Sequence, residues 1–240
     1  HIADKLTALH TLSAGVAHEL RNPLSAMDLN LHLLEEELRG RGALPEQGAR
    51  YLRVLNAECR RLSVILDNFM KFARPGSVGL HEVHIPALIE HIMALMQFEA
   101  EERKIRFDQV VEDPLPSVLG DETAIIQVLV NIVLNAFHAM PNGGHCRIVA
   151  ETSHANGLRW LVVSVTDTGI GIKKEDLARV FEPFYTTKSS GTGLGLAIAY
   201  RIIDDHGGTI EVSSTPGSGT TVVVTFPVTV KAAHPLAVTS

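Results

Sequence analysis

The chain has 240 residues, 45% of them hydrophobic, which suffices for one large domain or two smaller ones with a core each, and two is the expected number. A formal charge of −6 and a pI near 6.0 lack the basic footprint that neutralises phosphates, which argues against nucleic acid as a direct partner. Cys59 and Cys146 stand far apart with no C-x-x-C pair, so the sequence indicates neither a disulfide framework nor a zinc site, as suits a reducing cytoplasm.

No apolar run approaches the ~20 residues that a membrane-spanning helix needs, and the first residues do not read as a signal peptide. The chain as given is therefore expected to be soluble and cytoplasmic. It enters helical periodicity almost at once from His1, which predicts an upstream segment, and membrane contact is expected only through such a segment.

From Leu6 the seam residues recur in alternating threes and fours, and Leu20, Leu24, Met27, Leu31, Leu34 and Leu38 form a heptad seam. Gly40 to Gly42 should end this helix, and a loop through Leu44-Pro45 follows. A second seam comprises Leu52, Leu55, Cys59, Leu62, Leu66 and Phe69. Two such helices make an antiparallel hairpin that cannot bury both stripes alone, whereas a homodimeric four-helix bundle can. Heptads by themselves would suit any coiled-coil dimerisation element.

The first helix carries Ala17-His18-Glu19-Leu20-Arg21-Asn22-Pro23-Leu24. With Ala17 and Leu20 in the seam, His18 falls beside it and faces outward, as a nucleophile that must meet another domain requires. Its imidazole titrates near neutrality and offers a lone pair on one ring nitrogen. Adjacent Glu19 is placed to hold the other ring N–H and so to stabilise the charge that develops on attack. Asn22 lies one turn on, on the same face, in reach of a water or a phosphoryl oxygen. Pro23 offers no N–H to the Glu19 carbonyl, which predicts a local bend. Alone, His18 would be one of twelve histidines, and a surface residue without a role would be the simpler reading.

Arg74-Pro75-Gly76-Ser77 reads as a linker, which divides the chain into 1–76, 77–230 and a loosely ordered tail, 231–240. The second segment mixes periods. Strands are predicted near 83–85, 105–111, 117–119, 146–152, 158–166, 209–213 and 220–226, with helices over 86–102, 122–140 and 194–205. That order predicts an α/β sandwich, with helices layered on one face of a mixed sheet, so that the whole chain is α+β. His81 and His84 lie in an extended stretch without a visible third metal ligand.

Four motifs in this segment carry chemistry. Asn131 and Asn135 are i and i+4 on one helical face with His138 nearly beneath them, and neutral oxygen donors suit Mg²⁺ beside phosphate oxygens. Asp167-Thr168-Gly169-Ile170-Gly171-Ile172 ends a strand with a carboxylate able to accept the exocyclic amine of adenine, and its glycines allow backbone to approach the ring. Phe181 to Lys188 offers aromatic anchors at Phe181 and Phe184 and a cation, Lys188, for a phosphate. Gly191-Thr192-Gly193-Leu194-Gly195 opens a helix whose N-terminal N–H groups would cradle a triphosphate.

Taken in order, these motifs make residues 6 to 228 resemble the catalytic core of a bacterial two-component sensor histidine kinase, a HisKA dimerisation domain followed by a GHKL (Bergerat-type) ATP-binding domain. The H-box lies around His18, the N-box at Asn131–Asn135, the G1 box at Asp167–Gly171, the F-box at Phe181–Phe184 and the G2 box at Gly191–Gly195. The wording from His18 to Leu24 is similar to the nitrogen-regulation branch.

The resemblance implies ATP and Mg²⁺ as cofactors and a kinase that phosphorylates itself on His18. It makes Glu19 the assisting base and implicates Asn22 in dephosphorylating the partner. Asn135 with Asn131 would bind the metal. Asn131, Asn135, His138, Asp167, Gly169, Gly171, Ile172, Phe184, Lys188, Thr192, Gly193, Leu194, Gly195 and Thr220 would bind the nucleotide. His138 stands where many relatives carry Lys or Arg, and a neutral imidazole supplies no fixed charge there. The implied partners are a second copy of the chain and a response regulator, which receives the phosphoryl group on an aspartate. A GHKL-type ATPase without the kinase step and a pseudokinase scaffold are the alternatives.

Overall fold

The structure is a computed structural model that describes residues 24–25, 27–36, 38, 46–73, 79–155, 157–187 and 193–228. Two compact units divide it, His1–Pro75 with Glu182–Leu194, and Gly76–Phe181 with Gly195–Ser240.

In the first unit, helix α1 comprises the helical residues 24–25, 27–36 and 38, and α2 is Glu46–Ala73. The Asn56 amide donates to Glu35 Oε2 at 3.3 Å, a link between the two helices. The seam splits in two. Leu52, Cys59 and Leu66, one heptad apart, are buried, whereas Met27 and Leu34 on α1 and Leu55 and Leu62 on α2 remain exposed.

The second unit is built in the order β1 (His81–Val83), α3 (Ile85–Glu102), β2 (Ile105–Val111), β3 (Val118–Gly120) and α4 (Glu122–His138). It continues with β4 (Gly144–Ala155), β5 (Leu158–Asp167), α5 (Lys174–Leu177), α6 (Gly195–Asp205), β6 (Thr209–Thr215) and β7 (Gly219–Pro227). Five strands form one sheet, β2-β4-β5-β7-β6, in which β2 and β4 run parallel and the other neighbours antiparallel, while β1 and β3 pair separately. The mixed sheet and α+β class agree with the sequence reading.

Alternation along the strands makes one face of the sheet apolar. Cys146, Ile148 and Ala150 of β4, Leu161, Val163 and Val165 of β5, and Val222, Val224 and Phe226 of β7 are all buried. Against them pack α3 through Ile89, Ile92 and Met96, α4 through Ile125, Leu129, Ile132 and Phe137, and α6 through Ala199 and Ile203. Each fully buried aliphatic side chain of this kind contributes roughly 1.5–3 kcal/mol. Phe107 of β2 meets Phe137 edge-on, with ring centroids 5.3 Å apart. The opposite face carries Arg147, Glu151, Thr166, Glu211 and Ser213, all exposed.

The local sequence explains the helix ends. Asp121 caps α4 by accepting from the Ala124 N–H at 3.1 Å. Gly207 and Gly208 close α6 in a Schellman motif: Gly207, at φ +69, donates to the Asp204 carbonyl and Gly208 to that of Ile203, both at 2.9 Å.

Two expectations need correction. The first strand lies at His81–Val83, not 83–85, because Val83 pairs with Val118 and is buried, while Ile85 with Pro86 behind it opens α3. The four-residue α5 was not expected, since Lys174-Glu-Asp-Leu177 buries no side chain and so carries no periodicity.

Candidate nucleotide site

Asp167 closes β5 and is only 5% exposed. A carboxylate at that depth needs hydrogen bonds, and its Oδ1 accepts the backbone N–H of Gly169 at 2.8 Å and of Thr220 at 3.2 Å. The turn after it is pinned on two sides. Ile170 donates its N–H to the carbonyl of Ala139, just beyond α4, at 3.0 Å, and its own carbonyl accepts from the Gly217 N–H at 2.8 Å. Ile172 donates to Ser214 Oγ at 2.8 Å. Gly171 stands at φ +70 with the Thr215 carbonyl where a Cβ would sit, so the turn admits only glycine without strain.

On α4, Asn131 and Asn135 are half-buried one turn apart and face the start of α6. The Asn131 amide reaches the Gly195 carbonyl at 3.5 Å, and a Cβ on Gly195 would lie 3.9 Å from Asn131 Cγ and 4.0 Å from Asn135 Nδ2. Two neutral amides thus face the first turn of an 11-residue helix, where unsatisfied backbone N–H groups gather positive potential. Donor chemistry of this kind fits a divalent cation held together with phosphate oxygens. His138, in the last turn of α4, is exposed.

Phe181 is half-buried with its ring 5.6 Å from that of Tyr200 on α6. Phe184 is different: it is exposed, stands at φ +65, and donates its N–H to the Gly193 carbonyl at 2.9 Å. Of the two aromatic anchors expected from the sequence, Phe181 packs its ring on Tyr200.

Beneath the site, burial pushes the Cys146 thiol up to about 12, with the Asp167 and Asp108 carboxylates adding to the effect, so a neutral thiol lies beside the buried charge. Cys59 and Cys146 are both free. Among the described residues no cluster of His, Cys, Asp and Glu suits a metal ion, and His81 and His84 are exposed. No described helix is long and apolar enough to cross a membrane.

The structure brings together Asp167, Gly169, Gly171, Ile172 and Thr220 on one side and Asn131, Asn135 and Gly195 on the other. His18, Glu19, Asn22, Lys188 and Thr192 lie outside the described residues. Sequence reasoning missed Ser214, which holds both Ile172 and the β6–β7 hairpin. Its only trace there was a Ser-Ser-Thr-Pro-Gly run that reads as an ordinary turn.

Comparison with known proteins bears on this geometry. Residues 120–230 match the family described as "Histidine kinase-, DNA gyrase B-, and HSP90-like ATPase", and residues 8–77 match the "His Kinase A (phospho-acceptor) domain". The solved catalytic domain of the histidine kinase ThkA is 33% identical, with 63% of this chain and 99% of that one aligned at a TM-score of 0.56. The chain belongs to the two-component sensor histidine kinases. Among curated histidine kinases it is similar to the sensor histidine kinase ZraS of Escherichia coli (strain K12), 35% identical over 97% of this chain and 48% of ZraS. The chain therefore spans about half the length of the curated relatives it matches. Full-length ShkA, solved in complex with AMPPNP, aligns at TM-score 0.73 and 29% identity over 92% of this chain and 46% of ShkA.

Proposed function

We propose that this chain is the catalytic portion of a sensor histidine kinase that binds ATP with Mg²⁺ and phosphorylates His18. In this reading 1–76 is the dimerisation and phosphoacceptor domain, 77–230 the ATP-binding domain and 231–240 a tail. The observation that carries it is the succession in one chain of a phosphoacceptor-domain match and an ATPase-type sandwich with Asp167 buried beside a pinned glycine turn. The AMPPNP complex of ShkA and the complex of ThkA with the response regulator TrrA support nucleotide and regulator as ligands here too. ThkA in that complex is 28% identical, covering 95% of this chain and 64% of ThkA at TM-score 0.66.

Asp167 accepts the amine of adenine, and Gly169, Gly171, Ile172 and Thr220 line the base. Phe184, Lys188, Thr192, Gly193, Leu194, Gly195 and His138 are assigned to the phosphates. Asn135 and Asn131 hold Mg²⁺, which when bound neutralises charge on the phosphate oxygens. His18 attacks the γ-phosphorus with a ring-nitrogen lone pair; an N–P bond forms, the bond to the bridging oxygen breaks, and ADP leaves with that electron pair. Glu19 takes the proton from the other ring nitrogen, leaving a neutral phosphoimidazole. The phosphoryl group then passes to an aspartate of a response regulator, and Asn22 assists the reverse loss of phosphate from that partner.

The chain acts as a homodimer, because Met27, Leu34, Leu55 and Leu62 present an apolar half-seam that the hairpin itself does not cover. Two free cysteines are consistent with a cytoplasmic setting. Kinship to the nitrogen-regulation branch rests on the wording from His18 to Leu24 alone.

Incubation with γ-labelled ATP tests the reading. An acid-labile, alkali-stable protein label that is absent in His18→Gln and in Asp167→Asn is the expected result. Steady ATP hydrolysis without label would identify a GHKL-type ATPase instead, and no Mg²⁺-dependent ATP binding at millimolar nucleotide would identify a pseudokinase scaffold.

A further inference from the structure

Across the helix-covered face of the large sheet, paired residues line up in rows, and successive rows are apolar. Val165, Val222 and Val212 share one row; Val163, Val224 and Ile210 share the next. The row at the end of β5 reads Asp167, Thr220, Ser214. Asp167 and Thr220 are buried and Ser214 is half-buried. Polar groups at this depth persist only where their hydrogen bonds are satisfied, so the arrangement of protons within the row is constrained.

Ser214 has one hydroxyl hydrogen. Its Oγ accepts the Ile172 N–H at 2.8 Å and donates to the Gly219 carbonyl at 2.7 Å. Thr220 Oγ1 lies 3.0 Å from the same oxygen. A carbonyl has no hydrogen to give, so the Ser214 proton is committed to Gly219, and the hydrogen between the two hydroxyls comes from Thr220. The Thr220 hydroxyl then has only lone pairs to offer elsewhere. Its neighbour Asp167 is a carboxylate and likewise only accepts.

We propose that Ser214 is a positioning residue for base selectivity: by taking the Thr220 proton it turns the Thr220 hydroxyl into an acceptor, so that the Asp167–Thr220 pair selects a purine with an amino group at the 6-position over one with a carbonyl there. Ser214 touches no base and acts through Thr220. A 6-carbonyl oxygen brought to this pair meets lone pairs and loses its own hydration without return, which is the strong form of discrimination by polar groups. The inference rests on the reading of the Asp167 pocket as the adenine subsite.

Equilibrium binding of ATP and of inosine triphosphate to the full chain provides the test, because inosine exchanges the 6-amino group for a carbonyl. In Ser214→Ala the Thr220 hydroxyl is released to rotate and donate. The preference for ATP should then fall about tenfold, the worth of one such hydrogen bond. Ser214→Thr, which keeps the hydroxyl, should retain the wild-type preference. Thr220→Val should lower the preference by a similar factor, Asp167 keeping the rest, and adding Ser214→Ala to it should change the ratio no further. A merely structural Ser214 would weaken both nucleotides in parallel; that unchanged ratio, with ATP still bound, overturns this inference alone. If the wild-type chain binds neither nucleotide, the reading of the pocket fails and this inference falls with it. Should Ser214→Ala fail to fold, the ratio in Thr220→Val decides: no loss of preference there overturns the proposal.

Discussion

Asp108 lies on the solvated face of the sheet with two guanidinium groups and an imidazole around it. Arg147 Nε is 2.7 Å from Oδ1, and His145 Nε2 and Arg106 Nε are 2.7 and 3.2 Å from Oδ2. The hydrogen bond from Arg147 contributes most to holding the carboxyl down to about 2, against an ordinary 3.8. A folded-state value below the unfolded one means stabilisation that is present in full above about pH 4 and lost as acid takes the pH down to about 2. Asp108→Asn should therefore lower the denaturant midpoint at neutral pH by a small amount, as befits a solvent-exposed ion pair. The difference from wild type should shrink across that acid window. Equal midpoint differences at pH 6 and pH 2.5 would show that the charge is not what Asp108 contributes.

At the scale of elements, α4 and α6 carry the site between them, and their relative placement is set at both ends. Near the site the Asn131 amide reaches the Gly195 carbonyl; at the far end His206 accepts the Asp121 N–H on Nε2 at 2.9 Å. With Nε2 as acceptor the ring proton sits on Nδ1, which donates to the Ile202 carbonyl at 2.6 Å. His206 is 7% exposed, and removing its acceptor strands the part-buried Asp121 N–H. His206→Leu should cost roughly 1–3 kcal/mol, visible as a lowered denaturant midpoint, and should weaken ATP binding. His206→Gln, which keeps an acceptor, should lose less. If Leu and Gln behave alike, the bond to Asp121 is not what His206 supplies. This element pair also shows where sequence reasoning stopped. His206-Gly207-Gly208 is legible as a helix end, because glycine terminates helices for local reasons. The bond from Asp121 to His206 spans 85 residues and that from Ile172 to Ser214 spans 42, and no local pattern records either.

For the whole molecule, the two periodicities did most of the work. Heptads up to Phe69, then strand and helix patterns beyond Val83, placed the class, and Asn131 with Asn135 stood out by their i, i+4 spacing and Asp167 by its place at a strand end before two glycines. What the periodicity left open was which half of the seam the hairpin covers for itself. The structure assigns Leu52, Cys59 and Leu66 to the interior and leaves Leu55 and Leu62 outside. Charging the outer half, as in Leu55→Lys with Leu62→Lys, should halve the mass measured by light scattering, while Cys59→Ala should instead lower hairpin stability. A double-lysine chain that kept its wild-type mass would place the dimer contact elsewhere.

Among the described residues, the strand order β2-β4-β5-β7-β6 leaves β2 and β6 as the two rims of the sheet. Such rims are templates on which another chain can add a strand, the usual route to uncontrolled aggregation. β2 carries Arg106 and Asp108 in its middle, and β6 sets exposed Glu211 and Ser213 between Ile210, Val212 and Ser214. Charges on β2, and a charge with hydroxyl groups on β6, discourage a newcomer strand. The proposed homodimer would instead form through the exposed helical half-seam, where a defined stoichiometry can be kept even when the protein is crowded.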